Sequence, residues 1–593
     1  MRAAALLLSI LLACLPLVAQ GTSAKTFREW IAGEEVGGSS VTTRMEGKDR
    51  IVESREWISL DRMGMTIRQD LDQTARRRPD GSLTFTWKVS LSREPYEGTA
   101  EWSPQAPGVL KLRPRNGSPR EMPIPQGAIL WPEDLDVRLQ EAARLGRPVQ
   151  ALTFSFPTQQ WDTVDLAPKG PAPLPGFPDA IRFVGHEAEE GTQTPLESWI
   201  SPSAGEIRQT SELGGLSLLM QRSELPPPPV TRASTAGFFE QTLQPLPPHP
   251  FLPWLKEVTL RAEGGAPDLK QDAQQRRLPD GQWQLQRAAE PSPLEAAEPP
   301  ILGKPSLEDA PYLAATPLVP FHDPAFDGLI RRMALPAGLS RWALARRVTD
   351  FVFEWITDKD YSVGFASALE VCHHPKGDCT EHGVLAVALL RRLGVPARGV
   401  TGWVALDGTL GLHFWVEVKL GSRWVPVDPT FDQAPASAFR IKLGDSDLAD
   451  LGSVGWEGAA QAFTGVRWVP VGDGSPSWGG GIRIQGDGVT APDGSRLRLP
   501  GGRWEWQGGR LRVLSGLGGP WTVQATLRPD EAQLRGAHHL AGPKTLHEGW
   551  WDPGSRSLWM DLPHGRWLRV DGIPEPAAYG FLDQLEAGEG TAG

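Results

Sequence analysis

Leu83, Phe85, Trp87, Val89 and Leu91 alternate strictly with polar residues after the turn Pro79-Asp80-Gly81. A period of two predicts a half-buried antiparallel strand. The same strand-like texture runs from Phe27 to about Leu225, interrupted by one helical period: Leu135, Leu139, Ala142 and Leu145, with Pro132 at the first helical position, acidic Glu133 and Asp134 in the first turn and Gly146 at the end. Further on the period lengthens. Trp342, Leu344, Val348, Phe351, Val352, Trp355 and Ile356 share a broad helical face behind Ser340 as N-cap. Val384, Leu385, Val387, Ala388, Leu389 and Leu390 form a second apolar helical run just after Cys379. Asp378 or Thr380 can cap that helix, and Gly394 followed by Pro396 stops it. Three strands follow, Gly399 to Leu406, Leu412 to Leu420 and Arg423 to Thr430, the last two joined by Gly421-Ser422 as a two-residue turn. Beyond Ala449, Trp504 with Trp506, the alternation Trp521, Val523, Ala525 and Leu527, and Trp567 with Val570 flank Gly-rich turns. They predict a second β-rich region, with aromatics that read as core.

Composition supports this picture and narrows it. The 593 residues exceed what one hydrophobic core organises, so several domains are expected. The 65 glycines and 56 prolines favour hairpins, loops and linkers over long helices. A net charge of −11 argues against nucleic acid as a partner, because phosphate binding needs a basic face. Residues 1–24 carry Arg2, an apolar run from Ala3 to Ala19 and small polar residues through Ala24, the pattern of a secretory signal peptide. The protein is therefore expected in the periplasm or outside the cell. Leu11-Leu12-Ala13-Cys14 offers an alternative, a lipoprotein anchored at Cys14, and membrane contact is expected only if the chain is lipidated or keeps its leader.

Three residues carry the candidate chemistry. Cys379 opens a helix, where unsatisfied N–H groups and the positive dipole end favour the thiolate and could cradle an oxyanion. If Leu420 faces Arg423 across the turn, Trp415 faces Asp428, and His413 lies on the same face as Asp428, one pair away on the diagonal. Diagonal Cα neighbours sit roughly 7 to 8 Å apart, within reach of a carboxylate and an imidazole. A thiol, a base and an orienting acid are the parts of covalent acyl transfer through a thioester.

The run GDC-x-EH, then LRRLGVPAR, H-x-W-x-E and D-P-T resembles the transglutaminase-like superfamily of papain-type thiol enzymes, here within a bacterial exported multidomain protein. The resemblance covers about Pro320 to Phe439. It implies Cys379 as nucleophile, His413 as base and Asp428 as orienting carboxylate, with no cofactor and no metal. Trp342, Trp355 and Tyr361 are upstream candidates for the second oxyanion donor. The expected fold class is α+β, a papain/transglutaminase-like catalytic core flanked by β-rich N-terminal and C-terminal domains. The expected division is signal peptide 1–24, β-rich domain 25–225, Pro-rich linker with a small β segment 226–304, catalytic domain 305–449, and a Gly/Trp-rich β domain 450–593 that frays from about Glu586. A protein or peptide substrate is implied, cell-wall peptide among the candidates, with either water or an amine resolving the thioester.

Two rival readings use the same residues. Cys372, His373, His374, Cys379 and His382 lie close in sequence, yet their spacing fits no common zinc pattern and leaves the His413–Asp428 hairpin unexplained. A non-catalytic scaffold or binding module of the envelope would tolerate loss of one of the three residue types. All three remain, which favours an enzyme.

Overall fold

The computed structural model describes residues 23–588 except 225–242, 360–365, 450–465, 472–481, 541–546 and loop stretches of four residues or fewer. Most of the leader with Cys14, the break Pro226–Pro229, Tyr361 and residues 589–593 lie outside the described residues. The chain is rich in strands, arranged in several sheets, with few helices.

One 14-stranded antiparallel sheet takes up residues 23–223. Its first strand, Ser23–Ile31, pairs with Glu34–Glu46 on one side and with Leu216–Ser223 on the other, so the N-terminal region begins and ends at the middle of its own sheet. Leu83, Phe85, Trp87 and Val89 are all buried. Trp87 stacks at 5.3 Å on Phe156, which directly follows the edge strand Val149–Ser155, so the sheet curls over its own apolar face. Helix Leu135–Leu145 buries Leu135, Leu139 and Ala142, leaves Leu145 exposed, and ends on Gly146 in the left-handed conformation.

Helix Cys379–Arg392 is the centre of the region between. Every residue from Thr380 to Arg391 is buried, so this is a core helix rather than an amphipathic surface one. One side packs on helix Arg341–Trp355, capped by the Ser340 hydroxyl as the sequence predicts, and another on a five-stranded sheet. In that sheet Thr409–Leu420 lies between Ala397–Leu406 and Arg423–Val427. Two glycines set how close helix and sheet come: a Cβ on Gly383 or Gly399 would lie 2.3 or 2.4 Å from the Phe414 ring. Burying that ring contributes about 2–3 kcal/mol and fixes the residue next to His413. At the helix end, buried Arg391 donates to the carbonyls of Ala314, Ala397 and Asp447, tying three segments to one guanidinium.

The linker reading of 226–304 does not hold where the segment is described. Gln244–Pro245 adds to the edge of the five-stranded sheet beside Thr409 and Leu410. Glu257–Glu263 pairs with Trp283–Gln286 and, on its other side, with Arg467–Pro470 from beyond the expected boundary at 449. Leu252, Leu255, Val258 and Trp283 share one core with Trp403, Ile441 and Trp468. The prolines report an extended chain, but the apolar residues between them decide what it covers. Segments on both sides of 305–449 thus pack and pair with it.

The C-terminal region holds a seven-stranded sheet whose Trp504, Trp521, Val523 and Val570 pack with Phe581 and Leu582 of helix Glu575–Gln584. The aromatics are core, as their alternation predicts. The expected fraying from Glu586 is corrected: Glu586–Gly588 pairs with Arg496–Arg498 and forms a strand.

Candidate active site

Cys379 is the first residue of its helix. Of the two candidate caps, Asp378 is the one used: its carboxylate accepts the N–H of Thr380 at 2.9 Å and that of Glu381, while Glu381 accepts the N–H of Asp378 at 2.9 Å. The N–H groups of Thr380 and Glu381 are thus already engaged, which removes them from the set expected to cradle an oxyanion. Burial, then the charge of Asp378, push the Glu381 carboxyl well above the usual carboxylate range. His382, fully buried one turn on, donates from Nδ1 to the Asp378 carbonyl at 2.7 Å. Burial holds its pKa down at about 4, so it stays neutral above pH 5.

The hairpin supplies the second half. Leu420 pairs with Arg423 and the register runs without a bulge to Val416 opposite Val427, which brings Trp415 level with Asp428. His413 Nε2 and Asp428 Oδ2 lie 2.8 Å apart, both buried. Arg440 donates to the same Oδ2 at 2.6 Å, and the Thr430 N–H donates to Oδ1 at 3.0 Å. Burial opposes charge on Asp428, but His413 and Arg440 outweigh it and hold its carboxyl far below the usual range. An ionised carboxylate can only accept, so His413 must donate from Nε2, leaving Nδ1 as the basic nitrogen. Phe431 and Trp415 flank the imidazole, with ring centroids at 4.7 and 6.3 Å and near-parallel planes.

Cys379 and His413 line one cavity of about 790 Å³. Its other walls are Leu252 and Pro253 from the former linker, Lys359, and the polar face of the C-terminal sheet, with Thr522, Gln524 and Arg569. Neither Trp342 nor Trp355 reaches it: the first is buried in the core, and the second stacks on Phe351 with Arg332 over its ring. Neither cysteine is in a disulfide. Cys372 is buried, and burial together with the Asp323 charge pushes its thiol up to about 11. Among the described residues no group of three or more His, Cys, Asp and Glu side chains is arranged to hold a metal.

Sequence reasoning missed Arg440, Phe431 and Lys359. Phe431 directly follows D-P-T and was open to notice as an aromatic beside the pair. Arg440 and Lys359 carry no local signal, since each is set against the site by tertiary packing alone.

A thiol at a helix start, sharing a cleft with a His–Asp pair on a β-hairpin, has the layout of the papain-type thiol folds. Residues 336–429 match the model of the transglutaminase-like superfamily, so the chain carries a transglutaminase-like domain. No curated protein matches the chain. Among solved structures it is similar to a β-barrel-like protein of a domain of unknown function from Brucella abortus, with 11% identity over 36% of this chain and 99% of that one, TM-score 0.30. It is also similar to a protein provisionally named a cysteine protease from Cytophaga hutchinsonii, with 14% identity over 32% of this chain and 77% of that one, TM-score 0.23.

Proposed function

We propose that the protein is an exported thiol enzyme that transfers acyl groups from amide or peptide bonds through a thioester on Cys379. The observation that carries the reading is the shared cavity: a helix-end thiol and a buried His413–Asp428 pair open onto the same space. In the proposed sequence His413 Nδ1 takes the thiol proton, and the sulfur attacks the substrate carbonyl. The C–S bond forms, the C–N bond breaks, and the imidazolium returns its proton to the leaving amine. Water or a second amine then attacks the thioester and releases the thiolate, giving hydrolysis or transamidation. Protein or peptide is the expected substrate, with cell-wall peptide as the first to try. Incubating the protein with envelope peptides, trapping acyl-Cys379 by acid quench and weighing it by mass spectrometry tests this. Absence of any adduct on Cys379 from substrates that are turned over would remove the thioester route.

Two further outcomes follow from this reading. Iodoacetamide at pH 7 should alkylate Cys379 at least about a hundredfold faster than Cys372, because the thiolate is the reacting species and burial raises the Cys372 thiol. Peptide mapping over a time course measures both, and equal rates would mean that Cys379 holds no activated thiolate. The exported chain should lack the first 19 to 24 residues and carry no lipid. N-terminal sequencing with intact mass decides this, and a chain starting at an acylated Cys14 would make the protein membrane-anchored instead. Among the described residues no helix is long and apolar enough to cross a membrane.

A further inference from the structure

We infer that Arg528, a residue of the C-terminal region, is a positioning residue for the active-site imidazole. The inference rests on His413 acting on Cys379 as proposed above. The loop after Asp428 closes on itself: Asp428 and Gln433 exchange backbone hydrogen bonds at 2.7 and 3.0 Å, so residues 429–432 form a tight excursion. At its tip Phe431 lies flat on His413, with centroids 4.7 Å apart and planes 14° apart. The next residue, Asp432, has a φ of 50°, in the left-handed region that Asp tolerates better than most residues. Nothing in the loop's own backbone fixes that side chain. Arg528 Nη1 does, at 2.7 Å from Asp432 Oδ2.

The same guanidinium is itself anchored. Nη1 also donates to Asp350 at 2.8 Å, Nη2 donates to Glu354 at 2.7 Å, and the Cζ atom sits 5.0 Å from the centre of the Phe353 ring. All three belong to the helix Arg341–Trp355 that backs the cysteine helix. Arg528 therefore links the rigid helical core to the loop tip whose aromatic ring flanks His413. Without its charge three carboxylates would converge on one spot, and like charges at such range repel. The loop tip is the part free to move away, and Phe431 moves with it. A second contact acts in the same sense: Asp530 pairs with Lys359 at 3.1 Å across the cavity wall. With Phe431 stacked on it, the imidazole keeps Nε2 on Asp428. Loss of that hold weakens the thiolate–imidazolium pair and returns Cys379 toward an ordinary thiol.

The charged and titratable groups facing this pair are Asp428 and Arg440 from the sheet, Asp378 and His382 from the cysteine helix and its cap, Lys359 from the preceding loop, and Arg510, Arg528, Asp530, Arg569 and Asp571 from the C-terminal region, which line the same cavity. Substituting Arg528 removes one cation from this set, so Phe431→Leu, which keeps every charge, separates a change of position from a loss of charge. The experiment is the pH profile of Cys379 alkylation by iodoacetamide in the full chain, compared for wild type, Arg528→Gln, Phe431→Leu, and the pair Asp350→Asn with Glu354→Gln. Arg528→Gln is expected to slow alkylation at pH 6 by about threefold or more and to move the profile upward, since the thiolate fraction falls tenfold per unit of thiol pKa. Phe431→Leu, which leaves the ion cluster intact, should give the same displacement. The double helix variant, which frees Arg528 from the helix that anchors it, should displace the profile in the same direction. An Arg528→Gln profile matching wild type overturns the inference, as does a Phe431→Leu or double helix profile that stays at wild type, which would mean that Arg528 acts through its own charge and not through the loop. His413→Ala separates this from the larger reading: if it leaves the wild-type profile unmoved, the Cys379–His413 pairing itself is wrong.

Discussion

Cys379→Ala should abolish acyl transfer while leaving the fold and its melting temperature nearly unchanged. Removal of a nucleophile in a serine enzyme costs on the order of 10⁶ in rate, and no other thiol here can substitute. Cys372, the nearest alternative, is buried, with its thiol raised to about 11. The structural cost is small for three separate reasons. Cys379 is only half-buried, so little packing is lost. Alanine is the best helix former at a first helical position that needs no side-chain role. The cap that starts the helix belongs to Asp378 and Glu381, which the substitution leaves in place. A change in melting temperature equivalent to about 1 kcal/mol or less is expected. Product formation from a peptide donor and thermal unfolding, measured on the same preparation, test both halves. Wild-type turnover in the variant would move the chemistry to another residue, and a collapse in stability would mean that the thiol has a packing role not apparent from its exposure.

The parts of the fold that were legible in the sequence are those fixed by neighbours in the chain. Ser340, Asp378 and Gly394 bound their helices because caps and stops act within a turn or so of helix. The His413–Asp428 proximity follows from one two-residue turn and the strand period, and the register bears the geometry out to 2.8 Å. What escaped is held by partners distant in sequence. Gln244 bonds to Val466 and Trp468 across more than two hundred residues, and nothing in a proline-rich stretch names such partners. The 14-stranded sheet closes through Thr26 opposite Ser223, a pairing that alternation cannot specify because it tells which face is buried and not which strand lies alongside. Arg440 and Arg528 belong to the same class: each is an ordinary arginine in sequence, distinguished only by the carboxylate it meets in space.

Asp428→Asn is the substitution for which the structure changes the expectation most. From the hairpin alone, a size-preserving swap should lower the rate and spare the fold. Asp428 is, however, fully buried and accepts three donors: His413 and Arg440 on Oδ2, and the Thr430 N–H on Oδ1. An amide has one oxygen and one NH₂, so whichever way Asn is turned, a donor meets a donor. If the NH₂ faces His413, the imidazole must accept at Nε2 and carry its proton on Nδ1, the wrong tautomer for taking a proton from the thiol. If it faces Thr430, an N–H is left unsatisfied in the interior. Arg440 loses its charged partner either way, although Gln433 and Ser437 still accept from it. The rate should therefore fall by at least about tenfold, short of the 10⁴-fold seen for this swap in serine enzymes because a thiol depends less on its base. Stability at pH 7 should fall as well, by on the order of 3 kcal/mol or somewhat less, the scale for breaking a buried ion pair. The sign of the pH dependence follows from the depressed carboxyl: its contribution is present above the unfolded carboxylate range and lost as pH falls through the lower folded value. The stability gap between wild type and variant should thus narrow below about pH 4. Turnover must be measured well below the variant's melting midpoint, so that loss of rate is not loss of folded enzyme. A variant that melts early yet turns over at the wild-type rate would reduce Asp428 to a buried turn residue and leave His413 without an orienting acid.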